Sequence, residues 1–484
     1  MTQLSSALNS SLSGLASASR ITQTISNNVS NALTDGYAAR EVIPTARSIN
    51  GVGSGVVLGE IQRRVDPVLL AERRVADGQL ALASARVDFF SDMESAIGLP
   101  DSSGSLSSRV ANFGASIIEA TTRPESDAQL QTVLNAAKSV ANKLNSVSES
   151  VQMQRMEADA EIGRAVTFIN ETLEQIAELN VPTRGSPSRQ EAALDRADQR
   201  QSLIDSLSEY IPVREMQREN GTVMLFTPGG AILLDGRPAT LSFSPTGVIT
   251  PEMTVSGALS GLSINGQPVS TDADTGKIAG GKLAALFDVR DVQAVGVQAS
   301  LDAVARDLVE RFQKPSLDPT LNPGDAGLIT DGGAPFDASN EIGLAQRVTI
   351  NALVDPSQGG ELWRLRDGIG AAAPASPGNS SLLSAYATAL NALEAPASGS
   401  FGATYTAAGL AGEMTAQVST SQSSFESAQT FAQSRAETLI SAQRQNGVDT
   451  DQEMQRLLLV EQAYAANARV ISTIDDLIEL LTRI

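Results

Sequence analysis

Two stretches at opposite ends of the chain, LSSALNSSLSGLASASRITQTISNNVSNA (4–32) and TDQEMQRLLLVEQAYAANARVISTIDDLIELLTRI (450–484), decide how it folds. In the first, Leu4, Leu8, Ser11, Leu15, Ala18, Thr22, Ile25, Val29 and Ala32 recur in alternating steps of four and three. In the second, Leu457, Val460, Tyr464, Asn467, Ile471, Ile474, Ile478 and Leu481 do the same. That spacing puts each set on one seam of a helix, the seam a coiled coil buries. A chain that commits both ends to such seams is built to join others. The first seam is thin, since Ser11, Ala18 and Thr22 bury little area, so this helix is marginal alone and is expected to order when a partner covers it. Asn467 interrupts the second seam. Either it fixes register at a cost in stability, or it is a partly exposed Asn on a helix whose seam runs slightly to one side. Tyr464 reads as a core or interface anchor rather than a catalytic phenol.

Working inward, NALTDGYAAREVIP (31–44) carries a turn at Asp35-Gly36 and an extended exit at Pro44. GVGSGVVLGEI (51–61) reads as strand or hairpin with a bend. It fails the dinucleotide pattern GxGxxG, because Val56 stands where the third glycine belongs. Helical spacing resumes from Pro67 to Ile97. Between Pro124 and Pro182 there is no proline and a single glycine, and Leu130, Val133, Ala137, Val140, Leu144, Val147 and Val151, then Ile162, Val166, Ile169, Leu173 and Ile176, repeat the same steps. This predicts one very long helix or two stacked ones, closed by a turn at PTRGSP (182–187) and followed by a helix over 191–210.

The period then changes. VMLFTPGGAILLDGRPATLSF (223–243) predicts short strands joined at Gly229-Gly230 and Asp235-Gly236, and strand-like runs continue to 266. Helix returns over 282–312, a further strand is expected over 347–354, and long helices over 412–445 and from 450 onward. The fold class expected is mainly α with an inserted β-rich domain, an elongated and discontinuous architecture with paired, coiled-coil-like terminal helices. Its parts would be 1–45 with 448–484 as a terminal helical domain, 46–210 with 281–447 as a helical rod, and 211–280 as an outward β-rich domain.

Composition narrows the function. At 484 residues the chain exceeds one ordinary core. Apolar residues are 42% but aromatics only 4%, so the cores must be aliphatic, which suits slender helix packing better than broad pockets. Acidic residues outnumber basic ones 55 to 35, which argues against a phosphate-tracking nucleic-acid surface and against docking on anionic lipid. There is no cysteine and no histidine, which removes disulfides, thiolate or imidazole zinc sites and Ser-His-Asp or Cys-His catalysis. No run approaches the roughly 18 apolar residues of a membrane helix, and the first twenty residues lack the basic and apolar regions of a secretory signal.

Carboxylate pairs survive those exclusions. Asp288 with Asp291, or Asp272 with Asp274, could be read as a glycosidase pair, but no aromatic platform accompanies them, and solvated turns and helix faces account for them better. DTDQE (449–453) opens like a calcium loop, yet Met454 holds the sixth place and Val460 the twelfth. A capping box, with Thr450 as N-cap and Glu453 three residues on, explains the same letters. Neither catalytic, cofactor nor metal residues are expected.

LSGLASASRITQTISNNVSNALTDGYAARE (12–41) resembles the N-terminal signature of flagellar axial proteins, the rod and hook family, through Ser13, Gly14, Leu15, Asn27, Asn28, Asn31, Ala32, Thr34, Gly36 and Tyr37. The C-terminus resembles that family's closing signature through Glu453, Gln462, Tyr464, Ala466, Asn467, Ala468, Val470, Ile471, Thr473 and Asp475. Length, Arg40 close behind Gly36-Tyr37, and the stretch 51–70 favour a hook–filament junction member over the hook protein, although Arg40 falls three residues after the tyrosine where the family has two. The resemblance implies a structural protein, exported through the flagellar type III route to the exterior. There it would form a ring with copies of itself, between the hook protein and the next junction protein. It also implies an export chaperone held on the C-terminal helix, and neither nucleic acid nor membrane insertion.

Overall fold

The computed structural model describes residues 2–34, 36–49, 52–99, 102–182 and 187–482. In chain order the elements are α1 (Thr2–Ser30), a hairpin of β1 (Arg40–Ile49) and β2 (Val52–Arg63), α2 (Pro67–Ile97), α3 (Leu106–Thr122), α4 (Asp127–Leu179) and α5 (Pro187–Tyr210). Short strands follow: β3 (Arg214–Gln217), β4 (Val223–Phe226), β5 (Ile232–Asp235), β6 (Arg237–Pro238), β7 (Leu241–Ser242), β8 (Ser263–Ile264) and β9 (Gln267–Pro268). Then come α6 (Lys282–Asp288), α7 (Ala294–Gln313), β10 (Ile329–Asp331), α8 (Leu344–Arg347), β11 (Val348–Ile350), α9 (Arg364–Asp367), α10 (Ser381–Asn391), α11 (Ala407–Asn446) and α12 (Thr450–Thr482). The chain is mainly α with inserted β structure, as its periodicities require. No helix among the described residues is long and apolar enough to cross a membrane.

The proline-free stretch forms one helix of 53 residues, α4. Its three-four positions from Leu130 to Val151 are all 0–1% exposed, and those from Ile162 to Ile176 are at most 6% exposed. Such a helix is stable because a continuous apolar stripe is covered along its length, not through propensity. The turn expected at 182–187 lies, apart from its end residues, outside the described residues, as does Asp35. Between α6 and α7 the helix continues through a π turn at Val289–Gln293.

Two compact units share the chain. The first comprises residues 1–80, 168–240 and 432–484. It holds α1, the β1–β2 hairpin, the antiparallel sheet β3-β4-β5-β6, α5 and α12, with the adjoining ends of α2, α4 and α11. Its core includes Ile25, Leu70, Ile169, Leu173, Ile176, Ile204, Leu207, Val213, Leu225, Leu233 and Leu234. The hairpin runs in register from Arg40 opposite Arg63 to Ile49 opposite Val52, with bulges at Val42/Pro44 and Ala46/Ser48. Pro44 is tolerated because a bulge in a two-stranded ribbon asks no ladder hydrogen bond of it.

The second unit comprises residues 81–167 and 241–431. α3, α7 and α10 meet around Phe113, Phe312 and Tyr386, the ring of Phe312 lying 5.8 Å from that of Phe113 and 5.2 Å from that of Tyr386. The sheet β7-β8-β9 and its loops are tied to α4 by buried arginines. Arg155 donates to the carbonyls of Thr250 (3.1 Å) and Met253 (2.6 Å), and Arg290 pairs with Asp159 (2.6 Å) and donates to Ser260 O (3.0 Å). The seven strands between 214 and 268 therefore form two separate sheets, one in each unit.

Two local expectations need correction. Residues 347–354 are strand only at Val348–Ile350, and Ala352–Val354 is a 3-10 turn. Asn351 accepts from Leu353 N with its side chain and so caps that turn, ending the strand. At the start of α12 the N-cap is Asp449, not Thr450. Its Oδ1 accepts from the N–H groups of Asp451 (3.0 Å) and Gln452 (3.1 Å), which leaves Glu453 free for another role.

Candidate assembly site

α1 and α12 pack against each other in the first unit, with the hairpin laid on α1. The junction is knotted by Asn28, which is 1% exposed and uses all four of its hydrogen-bonding positions. Its Nδ2 donates to Arg40 O (2.9 Å) and to Glu453 Oε1 (3.0 Å). Its Oδ1 accepts from Arg40 N (2.9 Å) and from the Tyr37 hydroxyl (2.9 Å). One amide thus joins α1, the loop that follows it, the first residue of β1 and the first turn of α12. Only an amide can donate twice and accept twice in that plane. Burial pushes the Tyr37 phenol above its ordinary pKa, so it stays a neutral donor. The neighbouring Asn27 is exposed, and its carbonyl accepts from Asn31 Nδ2 (2.9 Å), which closes the C-terminus of α1.

A carboxylate cluster on α5 holds the same loop. Asp198 binds Arg40 (2.7 Å), Arg63 Nε (2.8 Å) and Ala38 N (3.3 Å), and Asp195 binds Arg40 (2.6 Å). Burial lowers the Arg40 pKa, but the hydrogen bonds to Asp198 and Asp195 outweigh it and leave the guanidinium above its ordinary value. Arg40 also lies over the Tyr37 ring at 5.2 Å. Gly36 sits at φ +78°, and a Cβ there would stand 2.9 Å from Ser202 Cβ on α5, so both its conformation and its surroundings demand glycine.

Ser13 and Gly14 divide their work. Ser13 Oγ accepts from Val56 N (3.1 Å) and so seats the hairpin on α1. One residue on, Gly14 faces α12: a Cβ added there would lie 2.7 Å from Asn467 Nδ2 and 2.9 Å from its Cγ. Asn467 fills the notch left by the missing side chain while donating to Ala463 O of its own helix (3.0 Å). Asn467 is half-buried, and among the described residues its side chain makes no hydrogen bond across the helices. Arg456 of α12 also pairs with Glu41 of β1.

The comparisons meet this geometry. Residues 90–316 match the family model described as the flagellar hook-associated protein FlgK helical domain, and residues 441–484 match the model of the flagellar basal body rod FlgEFG protein C-terminus. Flagellar hook-associated protein 1 of Salmonella typhimurium is 28% identical over 249 residues, covering 49% of this chain and 44% of that protein. Its namesake in Escherichia coli is 26% identical over 290 residues, covering 57% and 52%.

The chain is similar to the flagellar hook-associated protein FlgK helical domain over residues 90–316 and to the rod-protein C-terminus over 441–484.

The chain spans about half the length of the curated relatives it matches. The protein of that name from Bacillus subtilis is 25% identical over 224 residues. The solved flagellar hook junction protein FlgK from Burkholderia pseudomallei is 21% identical, with a TM-score of 0.44, over 54% of this chain and 47% of that one.

The expected seam residues are placed as follows. On α1, Ile25 is buried with Ser11 and Ala18, while Leu4, Leu8, Leu15 and Val29 are half-buried. On α12, Ile474 is buried, Leu457, Val460, Asn467 and Ile471 are half-buried, and Tyr464 and Ile478 are exposed. The side chain of Leu481 lies outside the described residues. Beside that seam Met454, Leu458, Leu459, Val470, Leu477 and Leu480 are 44–66% exposed. A pair of helices can cover only one narrow stripe of each, so α12 keeps a broad apolar flank.

Asn28, Gly36, Tyr37, Arg40 and Glu453 all stand out in the sequence, but nothing in it pairs Asn28 with Glu453. Glu453, which the sequence offers both as a capping-box acid and as part of the closing signature, accepts from Asn28. Arg63, Asp195 and Asp198 were not singled out. The one sequence signal for the last two is their spacing of three residues, which sets two carboxylates on one face of α5.

Proposed function

We propose that this chain is a structural protein of the bacterial flagellum that forms the junction ring between hook and filament, polymerising through its terminal helices. The observation that carries this reading is the apolar flank of α12, exposed on a helix whose base is fixed by the Asn28 knot. Apolar area of that extent on one helix is costly to leave in water and is suited to partner helices. The role is mechanical, without catalysis. Copies of the chain would cover one another's flanks, with the hook protein on one side of the ring and the next junction protein on the other. Before assembly, an export chaperone would shield the same flank during passage through the flagellar type III route to the cell exterior.

Two substitutions test this. Ile474→Asp charges a buried seam position and should abolish incorporation into flagella. Leu459→Asp charges a position 66% exposed, so it should leave the fold of the isolated chain unchanged and still abolish incorporation. Cell-attached flagella carrying the Leu459→Asp protein at wild-type levels would sink the reading.

A further inference from the structure

A small pocket in the first unit is walled by the end of β2, the first turns of α2, α5 and β3, and Arg63, Arg74 and Arg200 all line it. Glu215 is the one carboxylate among its lining residues. Arg74 is 1% exposed. Its Nε meets Asp205 (2.7 Å) and its Nη1 meets Glu215 (3.1 Å), while its Nη2 has no hydrogen-bond partner among the described residues. Arg63 is engaged by Asp198 (2.8 Å) and by Gln201 Oε1 (2.7 Å), so the Gln201 amide nitrogen is left as a further donor. Arg200 is 7% exposed and reaches only neutral oxygens, Asn180 Oδ1 at 3.3 Å and Gly221 O at 3.4 Å, with no carboxylate at ion-pair distance among the described residues. Burial, together with the like charge of Arg63, lowers its pKa against the pull of Glu215.

Donors therefore exceed acceptors at this point, and the buried Arg200 guanidinium has only Glu215, beyond ion-pair distance, to offset its charge. Buried charges are stable when paired. A water would satisfy hydrogen bonding there but leave the charge. The space, about 40 Å³ open to water-sized particles, has room for a small ion or for about two or three waters. We infer that this pocket binds a monovalent anion of chloride size between Arg74 and Arg200. The ion holds β2, α2, α5 and β3 together, because its donors converge only when all four are in place. The net charge of −20 does not oppose this, since a buried site is governed by its own walls.

Crystals of the full chain soaked in sodium bromide give the direct test. An anomalous peak in contact with Arg74 Nη2 and Arg200 is expected, and an ordered water there without anomalous signal overturns the inference. In solution, chloride replaces gluconate at constant ionic strength while thermal unfolding and hydrogen exchange over 67–80 and 196–217 are followed. The expected response is saturable, with protection rising as ln(1 + [Cl⁻]/Kd), and it disappears in Arg200→Met. A response that does not saturate, or that persists unchanged in the variant, contradicts the site. Should Arg200→Met fail to fold, the bromide experiment on the native chain decides.

Discussion

Asn28→Asp changes one nitrogen to oxygen and removes nothing else, so it isolates the knot between the two ends of the chain. The Nδ2 atom now donates to Glu453 Oε1 at 3.0 Å and to Arg40 O at 2.9 Å. In the variant both contacts become oxygen against oxygen, and the first becomes carboxylate against carboxylate. At that separation and an effective dielectric constant near 20, the repulsion alone is about 5 kcal/mol, which is a ceiling. Sharing one proton between the two acids relieves part of it. The net loss at pH 7 is expected to be roughly 3–5 kcal/mol once the lost donor bonds are included. Because the pair then holds a proton in the folded state that each acid releases when unfolded, its folded pKa lies above the unfolded one. The deficit must therefore shrink as pH falls from 7 towards 5. The assay is hydrogen exchange of the full chain over residues 20–32 and 450–460, read as local opening free energy. Adding Glu453→Gln should restore at least half of the loss, since the new amide can donate to the carboxylate introduced at position 28. A loss below about 1 kcal/mol that ignores pH would refute the reasoning, because it would mean that the two ends are not coupled through this contact.

Two further outcomes concern other parts of the chain. Asp302, buried in the second unit, is pushed up to about 6 by that burial, although the N–H groups of Ala345 and Gly343, Gln298 and the Arg347 charge all work against it. The folded state then takes up a proton that the unfolded chain does not hold between about pH 4 and 6, so stability falls as pH rises through that window by about 3 kcal/mol. Asp302→Asn should remove that slope from denaturant unfolding of the second unit, and an unchanged slope would assign it elsewhere. Gly14→Leu should loosen α1 from α12 by driving into Asn467, raising exchange along both helices, and Asn467→Ala should suppress the effect. Failure of that suppression would place the clash elsewhere.

How much of this could be read from the residues varies with the distance over which they act. The three-four pattern from Leu130 to Ile176 marked the long helix because its apolar stripe is local and uninterrupted. The matching patterns at the ends marked α1 and α12 for the same reason, and the turn at Gly36 was visible because that backbone requires glycine. The partners were not visible. Asp198 is 135 residues from Arg63 and 158 from Arg40, and Asn28 is 425 from Glu453, and no periodicity links them. Glu453 reads two ways because a capping box and an inward-facing acid are spelled alike; Asp449, one residue upstream of Thr450, decides which is built. The exposure of Tyr464 and Ile478 has a different origin. Spacing tells which residues share a seam, but in a single chain one helix covers only part of it.

The central claim is that this chain joins hook to filament, and electron microscopy of cells lacking its gene, with the medium assayed for filament subunits, tests it most directly. Bare hooks of normal length with filament subunits lost to the medium are the expected result. Absent hooks would assign the chain to the hook itself, and filaments of normal length and number would contradict the junction role altogether.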